Sequence, residues 1–197
     1  MDIRPLSIEG AWVVTPRQFP DPRGVFAEGF RADHLAEAIG HTMTVKQTNL
    51  SVSVAGAVRG IHYSDVPPSQ AKYVQAMSGA FLDVVVDIRV GSPTFGQHEV
   101  VHLDTVDRRA VYLSEGLGHA LVCLEDGMCV YLCSEVYAPT RERGITPTDP
   151  QIALALPDGL EAILSEKDTA APTLAQAQEQ GLLPSYDDCV AYRRSLA

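Results

Sequence analysis

Short segments with strand-like composition recur along the middle of this chain at intervals of about ten residues, and this spacing constrains the fold more than any other sequence feature. Turn-forming residues separate the segments, for example Ser78-Gly79 and Glu125-Asp126-Gly127. The predicted strands are Val45 to Asn49, Ala57 to Tyr63, Lys72 to Met77, Ala80 to Arg89, Gln97 to Leu103, Ala110 to Leu113, Ala120 to Leu124 and Met128 to Tyr137. Short strands alternating with turns are typical of a β-sandwich or β-barrel.

Helical periodicity is confined to the flanks of this region, at Ala32 to Ile39, Thr173 to Gln180 and Tyr186 to Leu196, with Thr173 placed to cap the second helix. We therefore expect a mostly-β fold with a few short peripheral helices. A chain of 197 residues without a Ser-, Gly- or Pro-rich linker is expected to form a single domain over residues 1–197.

The charge balance argues against a nucleic-acid-binding protein. Asp and Glu number 25 against 15 Lys and Arg, which gives a net charge of -10, so a phosphate-bearing ligand would need a few well-placed cations. No apolar run is long enough to span a membrane, and the first residues lack the basic and apolar regions of a signal peptide. The four cysteines fit no metal-binding spacing and are expected to be buried free thiols, so we expect a cytoplasmic protein.

The segment His98-Glu99-Val100-Val101-His102 matches the HExxH motif of zinc proteases, but its context favours a strand. It is rich in valine and follows a Gly- and Pro-containing turn. In a strand the two histidine Cα atoms lie about 13 Å apart, too far for both rings to bind one ion. We expect no metal here.

Alternation along Met128 to Tyr137 places Cys129, Tyr131, Cys133, Glu135 and Tyr137 on one face. Such a mixture of apolar and ionisable groups suits a barrel interior that holds a polar ligand, but tyrosines that pack at a rim would give the same pattern. Gln47 and Asn49 also share a face, which is either ligand-lined or exposed.

His62 and Lys72 lie on predicted neighbouring strands joined by a turn. An ammonium group near an imidazole favours the neutral form that a general base needs. From the pattern alone, however, a partly buried histidine with a backbone partner is the favoured interpretation. Arg59 and His62 are three positions apart and would face opposite sides of a regular strand. A bulge at Gly60 would bring them to one face.

Together these segments resemble the dTDP-4-dehydrorhamnose 3,5-epimerase family, nucleotide-sugar epimerases of the cupin superfamily. The resemblance spans about residues 10 to 184 and implies a cupin-type jelly-roll. The matching blocks are Asp21-Pro22-Arg23-Gly24, Gln47-Thr48-Asn49, Arg59-Gly60-Ile61-His62-Tyr63, Gln70-Ala71-Lys72, Asp83 to Arg89, Ser92 to Gly96, Tyr137-Ala138-Pro139 and Ser165-Glu166-Lys167-Asp168.

The resemblance implies a role for each matching residue. His62 would be the general base, Asp168 its orienting partner, Lys72 the group that stabilises charge on the substrate oxygen, and Tyr131 the general acid. Further matching positions imply substrate contacts, and three of these would reach the nucleotide in the neighbouring subunit of a homodimer. The substrate contacts are Gln47, Asn49, Arg59 and His119 within the chain and Arg23, Phe26 and Glu28 from the neighbour. No metal or cofactor is expected.

Several positions depart from the usual family pattern, namely Ser64, Ser114, the Gly118-His119-Ala120 order and Leu156. These departures resemble the branch that serves antibiotic deoxysugars, and we expect inversion of C3 alone of a dTDP-4-keto-6-deoxyhexose. A 3,5-double epimerase of dTDP-rhamnose biosynthesis, a keto-isomerase and a non-catalytic sugar-nucleotide-binding cupin remain alternatives. The sequence determines neither the carbons inverted, nor the preferred base, nor the pathway.

Overall fold

The computed structural model describes residues 1–197 as eleven strands and four short helices, in agreement with the mostly-β prediction. The strands are β1 (Asp2–Pro5), β2 (Ala11–Thr15), β3 (Gln18–Asp21), β4 (Gly24–Ala27), β5 (Gln47–Ser53), β6 (Val58–Ser64), β7 (Lys72–Val86), β8 (His98–Leu103), β9 (Ala110–Leu113), β10 (Gly118–Cys133) and β11 (Glu142–Gly144). The helices are α1 (Ala32–Ile39), α2 (Glu166–Thr169), α3 (Leu174–Glu179) and α4 (Tyr186–Arg194).

Nine strands form one sheet in the order β1-β2-β9-β7-β10-β6-β11, with β5 added to β10 and β8 added to β7. β10 is the central element: β7 pairs along most of one edge, while β6 and β5 share the other edge end to end. Strands β3 and β4 form a separate hairpin. Buried aliphatic and aromatic side chains form three core clusters, and strands that carry the candidate site contribute to them.

Two predicted turns are wrong. Ser78-Gly79 lies inside β7 and Glu125-Asp126-Gly127 lies inside β10, so each pair of predicted strands is one long strand. The two segments face each other, and the register shifts between Cys123 and Cys129 show bulges there. A Cβ on Gly127 would lie 2.2 Å from the backbone oxygen of Ser78, so this close approach requires glycine.

Other element boundaries also differ from the sequence prediction. β5 continues to Ser53 because it pairs with β10 as far as Gly127, whereas β10 ends at Cys133 rather than Tyr137. The four N-terminal strands were not predicted. The three predicted helices are present, and Thr173 caps α3 in a capping box with Gln176.

The HExxH segment is strand β8, as predicted, and pairs with β7. All four cysteines are buried free thiols, also as predicted. None of the helices is long and apolar enough to cross a membrane.

Candidate functional site

A cavity of 560 Å³ opens where β5, β6 and β10 meet the loop that leads into α2. Four residues singled out in the sequence line it: Arg59, His62, Tyr131 and Asp168. The other lining residues are Val52, Ser53, Val54, Ala57, Val58, Ile163, Leu164, Ser165 and Lys167. Charged and phenolic groups from three different elements therefore converge on one space.

His62 and Asp168 form a close pair in this cavity. The Nε2 atom of His62 lies 2.6 Å from Oδ1 of Asp168, a buried carboxylate with 5% of its surface exposed. Ser165 caps α2 by accepting a hydrogen bond from the backbone N–H of Asp168 at 3.1 Å, which fixes the carboxylate. A carboxylate at Nε2 holds the proton there and leaves Nδ1 free to accept another proton.

Burial lowers the pKa of His62, while Asp168 opposes this shift and the positive charge of Lys72 adds to it. Since the net direction is downward from 6.5, the imidazole is neutral at neutral pH. Burial has the opposite effect on Tyr131: it raises the pKa of the phenol, which is therefore protonated at neutral pH. The cavity thus contains a neutral proton acceptor and a neutral proton donor.

The predicted bulge at Gly60 is confirmed. Arg59 pairs with Leu121 and His62 with His119, so three steps on β6 match two on β10. Gly60 has a φ of 129°, and a Cβ there would lie 2.6 Å from the backbone oxygen of His119, so only glycine fits. The extra residue brings Arg59 and His62 to the same cavity, where Arg59 donates to Ser53 Oγ at 2.9 Å.

Lys72 lies close to these residues but does not line the 560 Å³ cavity. On β7 it pairs with Cys133, two positions from the pairing of Val74 with Tyr131. Burial lowers the pKa of Lys72, and the carboxylates of Glu142 and Asp83 oppose that shift.

Gln47, Asn49 and His119 also lie outside the lining of this cavity. Gln47 and Asn49 pair with Cys133 and Tyr131 across β10, and their side-chain amides are linked by a 2.7 Å hydrogen bond. Gln47 also accepts from the backbone N–H of Tyr137 at 2.8 Å. These contacts give the two side chains internal partners, an arrangement that the sequence pattern left open.

The structure does not bring Arg23, Phe26 or Glu28 to the cavity of their own chain. Arg23 is in the turn between β3 and β4, where it pairs with Asp21 at 2.6 Å. Phe26 is on β4 and packs against Phe19 with 67% of its surface exposed. Glu28 pairs with Arg31 at 3.0 Å. The prediction that they serve a neighbouring subunit is untested within one chain.

Sequence reasoning missed several groups at or near the site, including Ser53, Ser165, Lys167 and Glu142. Ser53 falls on the alternating face of Gln47 and Asn49, so extending the predicted strand by four residues would have found it. Ser165 belongs to one of the matching blocks, but no role was assigned to it. A serine three residues before a carboxylate is the signal of a helix cap there.

A sequence profile of the dTDP-4-dehydrorhamnose 3,5-epimerases matches residues 5–176. The chain belongs to this family. It is an epimerase, an isomerase by class, and its relatives share a cupin-like fold, which confirms the predicted jelly-roll. A dTDP-4-dehydrorhamnose 3,5-epimerase of Streptomyces griseus is 51% identical over 98% of this chain and 97% of its own. A dTDP-4-dehydrorhamnose 3-epimerase of Streptomyces niveus is 53% identical over 97% and 92%.

Solved structures agree with this assignment. The rmlC epimerase of Mycobacterium tuberculosis superposes with a TM-score of 0.97 at 44% identity, covering 100% of both chains. ChmJ, a 3'-monoepimerase from Streptomyces bikiniensis solved in complex with dTDP-quinovose, superposes with a TM-score of 0.95 at 49% identity, covering 98% of both chains. Relatives therefore include epimerases of both kinds, and overall identity does not separate them.

Proposed function

We propose that this epimerase inverts C3 of a dTDP-4-keto-6-deoxyhexose by removing the C3 proton and returning a proton to the opposite face. The observation that carries the proposal is the convergence of His62, its partner Asp168, and Tyr131 on one cavity. The base is neutral and the acid is protonated at neutral pH, which is the pair of states that the reaction needs at its start.

The C4 ketone makes the reaction accessible to side chains alone. It acidifies the hydrogen on C3, and loss of that hydrogen leaves an enolate with its charge on the C4 oxygen. Nδ1 of His62 accepts the proton, and Asp168 stabilises the imidazolium that forms. Lys72 stabilises the charge on the oxygen. This chemistry requires neither a metal nor a redox cofactor.

Inversion needs a proton donor on the other face of the sugar. Tyr131 is on β10 while His62 is on β6, so the two groups can approach a bound ring from different sides. The tyrosinate that remains after donation regains its proton from solvent. One such positioned acid or base typically increases the reaction rate by about 10²- to 10⁴-fold.

An acidic protein needs local cations to hold a nucleoside diphosphate. Arg59 and Lys167 line the same cavity as His62, and we assign the diphosphate to them. Gln47, Asn49 and His119 complete the proposed substrate site within the chain.

We further propose a homodimer in which Arg23, Phe26 and Glu28 contact the nucleotide bound to the partner. The hairpin β3–β4 exposes apolar side chains, and β5 has no strand partner on its outer edge. Leu50, Val52 and Val54 are all exposed on or next to that strand, so a second copy would cover a surface that is unfavourable in water.

Inversion at both C3 and C5 is the second candidate, because a 3,5-epimerase matches at 51% identity and a 3-epimerase at 53%. The preference for C3 rests on the departures at Ser64, Ser114 and Gly118-His119-Ala120, which resemble the antibiotic branch.

Incubation with dTDP-4-keto-6-deoxyglucose in heavy water tests the proposal. Proton NMR of the product should show deuterium and inverted configuration at C3, with C5 unchanged. Deuterium at C5 as well would establish the double epimerase. Uptake at neither carbon would leave a binding protein, and movement of the keto group would identify a keto-isomerase.

A further inference from the structure

Asp83 is a buried carboxylate to which neither the sequence analysis nor the proposed mechanism assigns a role. It lies on β7 with no exposed surface, and its Oδ2 atom is 2.9 Å from Nε2 of His119. Its Oδ1 atom is also buried and has no hydrogen-bond partner. An ionised carboxylate with one partner is costly to bury, so its retention in the sheet needs an electrostatic reason.

The position of Asp83 in the sheet supplies that reason. Asp83 pairs with Leu121 on β10, two residues from His119, and His119 pairs with His62 on β6. His62 and His119 are therefore direct neighbours across two strands. Each histidine also contacts a carboxylate: His62 contacts Asp168, and His119 contacts Asp83. The first pair lines the cavity. The second lies on the same face of the sheet, because directly paired residues of antiparallel strands project to one side.

We propose that Asp83 is a positioning residue for the epimerisation, acting through His119 and Lys72. It accepts the Nε2 proton of His119 and so leaves Nδ1 bare, which makes His119 an acceptor for a substrate hydroxyl rather than a second acid. Its negative charge also favours the ammonium form of Lys72, the form that stabilises the enolate. The proposal rests on the proposed function above.

Several ionisable groups face Lys72 and Asp83. Cys133 on β10, Glu142 on β11 and Asp83 on β7 raise the pKa of Lys72 against the stronger effect of burial, and Lys72 in turn lowers the pKa of His62 on β6. Asp83 also faces Cys129, whose pKa is raised to about 12 by burial and by that carboxylate. Because a neutral thiol cannot compensate a carboxylate, His119 and Lys72 are the groups through which Asp83 can act.

The substitution Asp83→Asn tests this role, since it keeps the shape and removes the charge. We expect kcat to fall about 10- to 100-fold, less than the roughly 10²- to 10³-fold typical of removing a direct donor. KM should rise by a smaller factor, because His119 also contacts a hydroxyl of the bound substrate in the proposed site. The alkaline limb of the kcat–pH profile should move to lower pH, because Lys72 loses a negative neighbour.

Asp149→Asn is the matched control. Asp149 is equally buried but accepts hydrogen bonds from the backbone of Gln151, Ile152 and Leu174, with no contact to the site. It should lower thermal stability without moving the pH profile. An Asp83→Asn enzyme with wild-type kcat and an unmoved alkaline limb would overturn the proposal, as would a change in KM alone.

Nitrogen-15 NMR of the wild-type histidines provides a second test that requires no folded variant and no turnover. We expect His119 to carry its proton on Nε2 with Nδ1 bare. A proton on Nδ1, with Nε2 bare against a protonated Asp83, would refute the proposal. Failure of the wild type to exchange C3 in heavy water would instead refute the proposed function, so the two failures are distinct.

Discussion

Burial acts in opposite directions on the pKa values of His62 and Tyr131, although both side chains line one cavity. In each case it disfavours the charged form, so it lowers the pKa of the imidazole and raises the pKa of the phenol. Burial alone thereby favours a neutral base and a neutral acid at the same pH. Asp168 adds to the base only what burial cannot supply, which is orientation and stabilisation of the imidazolium.

Substitution of these two residues should give different exchange patterns. His62→Ala should abolish both deuterium uptake and inversion, because neither begins without proton removal. Tyr131→Phe should retain deuterium uptake at C3 with unchanged configuration, while inversion falls about 10²- to 10⁴-fold. Asp168→Asn should lie between them. Mass spectrometry of recovered substrate and NMR of product separate the patterns, and Tyr131→Phe inverting at the wild-type rate would remove Tyr131 from the mechanism.

The acid limb of the kcat/KM profile should lie below the ordinary imidazole pKa of 6.5, because burial lowers the pKa of His62 and the base must be deprotonated. Asp168→Asn should move that limb to still lower pH, since the charge of Asp168 raises the pKa of His62. Stopped assays from pH 4 to pH 8 measure both. A limb above 6.5 in the wild type would contradict this assignment of the base.

At the scale of elements, strand positions were more predictable than strand ends. The alternation around His62 and Tyr131 is local and was recognised correctly. Whether Ser78-Gly79 or Glu125-Asp126-Gly127 ends a strand depends on what faces it across the sheet, because a turn and a bulge use the same residues. The bulge at Gly60 could be predicted from the sequence only because Arg59 and His62 would face opposite sides of a regular strand. The partners of Asp83, far away in the sequence, left no local signal.

The capped helix α2 offers a direct test of how an element serves the site. Ser165→Ala should cost about 1 kcal/mol of unfolding free energy through loss of the cap and should also lower kcat, because Asp168 is in the first turn. Thr173→Ala removes the corresponding cap of α3, which carries no proposed catalytic residue, and should cost a similar free energy with kcat unchanged. Denaturant titration and turnover assays distinguish the two. Equal kcat in both variants would show that α2 does not position Asp168.

At the scale of the whole molecule, the acidic composition and the exposed hairpin favour the proposed homodimer, in which each chain completes the binding site of the other. Phe19, Val25 and Phe26 are exposed on the hairpin, and the cations lining the cavity number only two, Arg59 and Lys167. The proposed contribution of Arg23 and Glu28 follows only from family resemblance, because no pattern within a chain specifies what a second copy touches.

A mixing experiment tests the shared site. His62→Ala and the double variant Arg23→Ala/Phe26→Ala should each be impaired, and exchange of subunits should restore about a quarter of wild-type activity, since half the dimers would hold one intact site of two. Mixing His62→Ala with Tyr131→Phe is the control, because both residues lie in one cavity, and it should restore nothing. Light scattering should give twice the 21.3 kDa chain mass. A monomer, or recovery in the control, would contradict the shared site.

The bulges in the middle of β10 bear on how such an enzyme can change over evolutionary time. His119 and Tyr131 lie on either side of the irregular stretch between Cys123 and Cys129, so their relative facing depends on the number of residues between them. A single-residue insertion or deletion there would turn Tyr131 to the outer face, since strand side chains alternate. Replacement of side chains is compatible with this design. An insertion or deletion in β10 is tolerated only when a second one, in β10 or in the facing part of β7, returns Tyr131 to its original face.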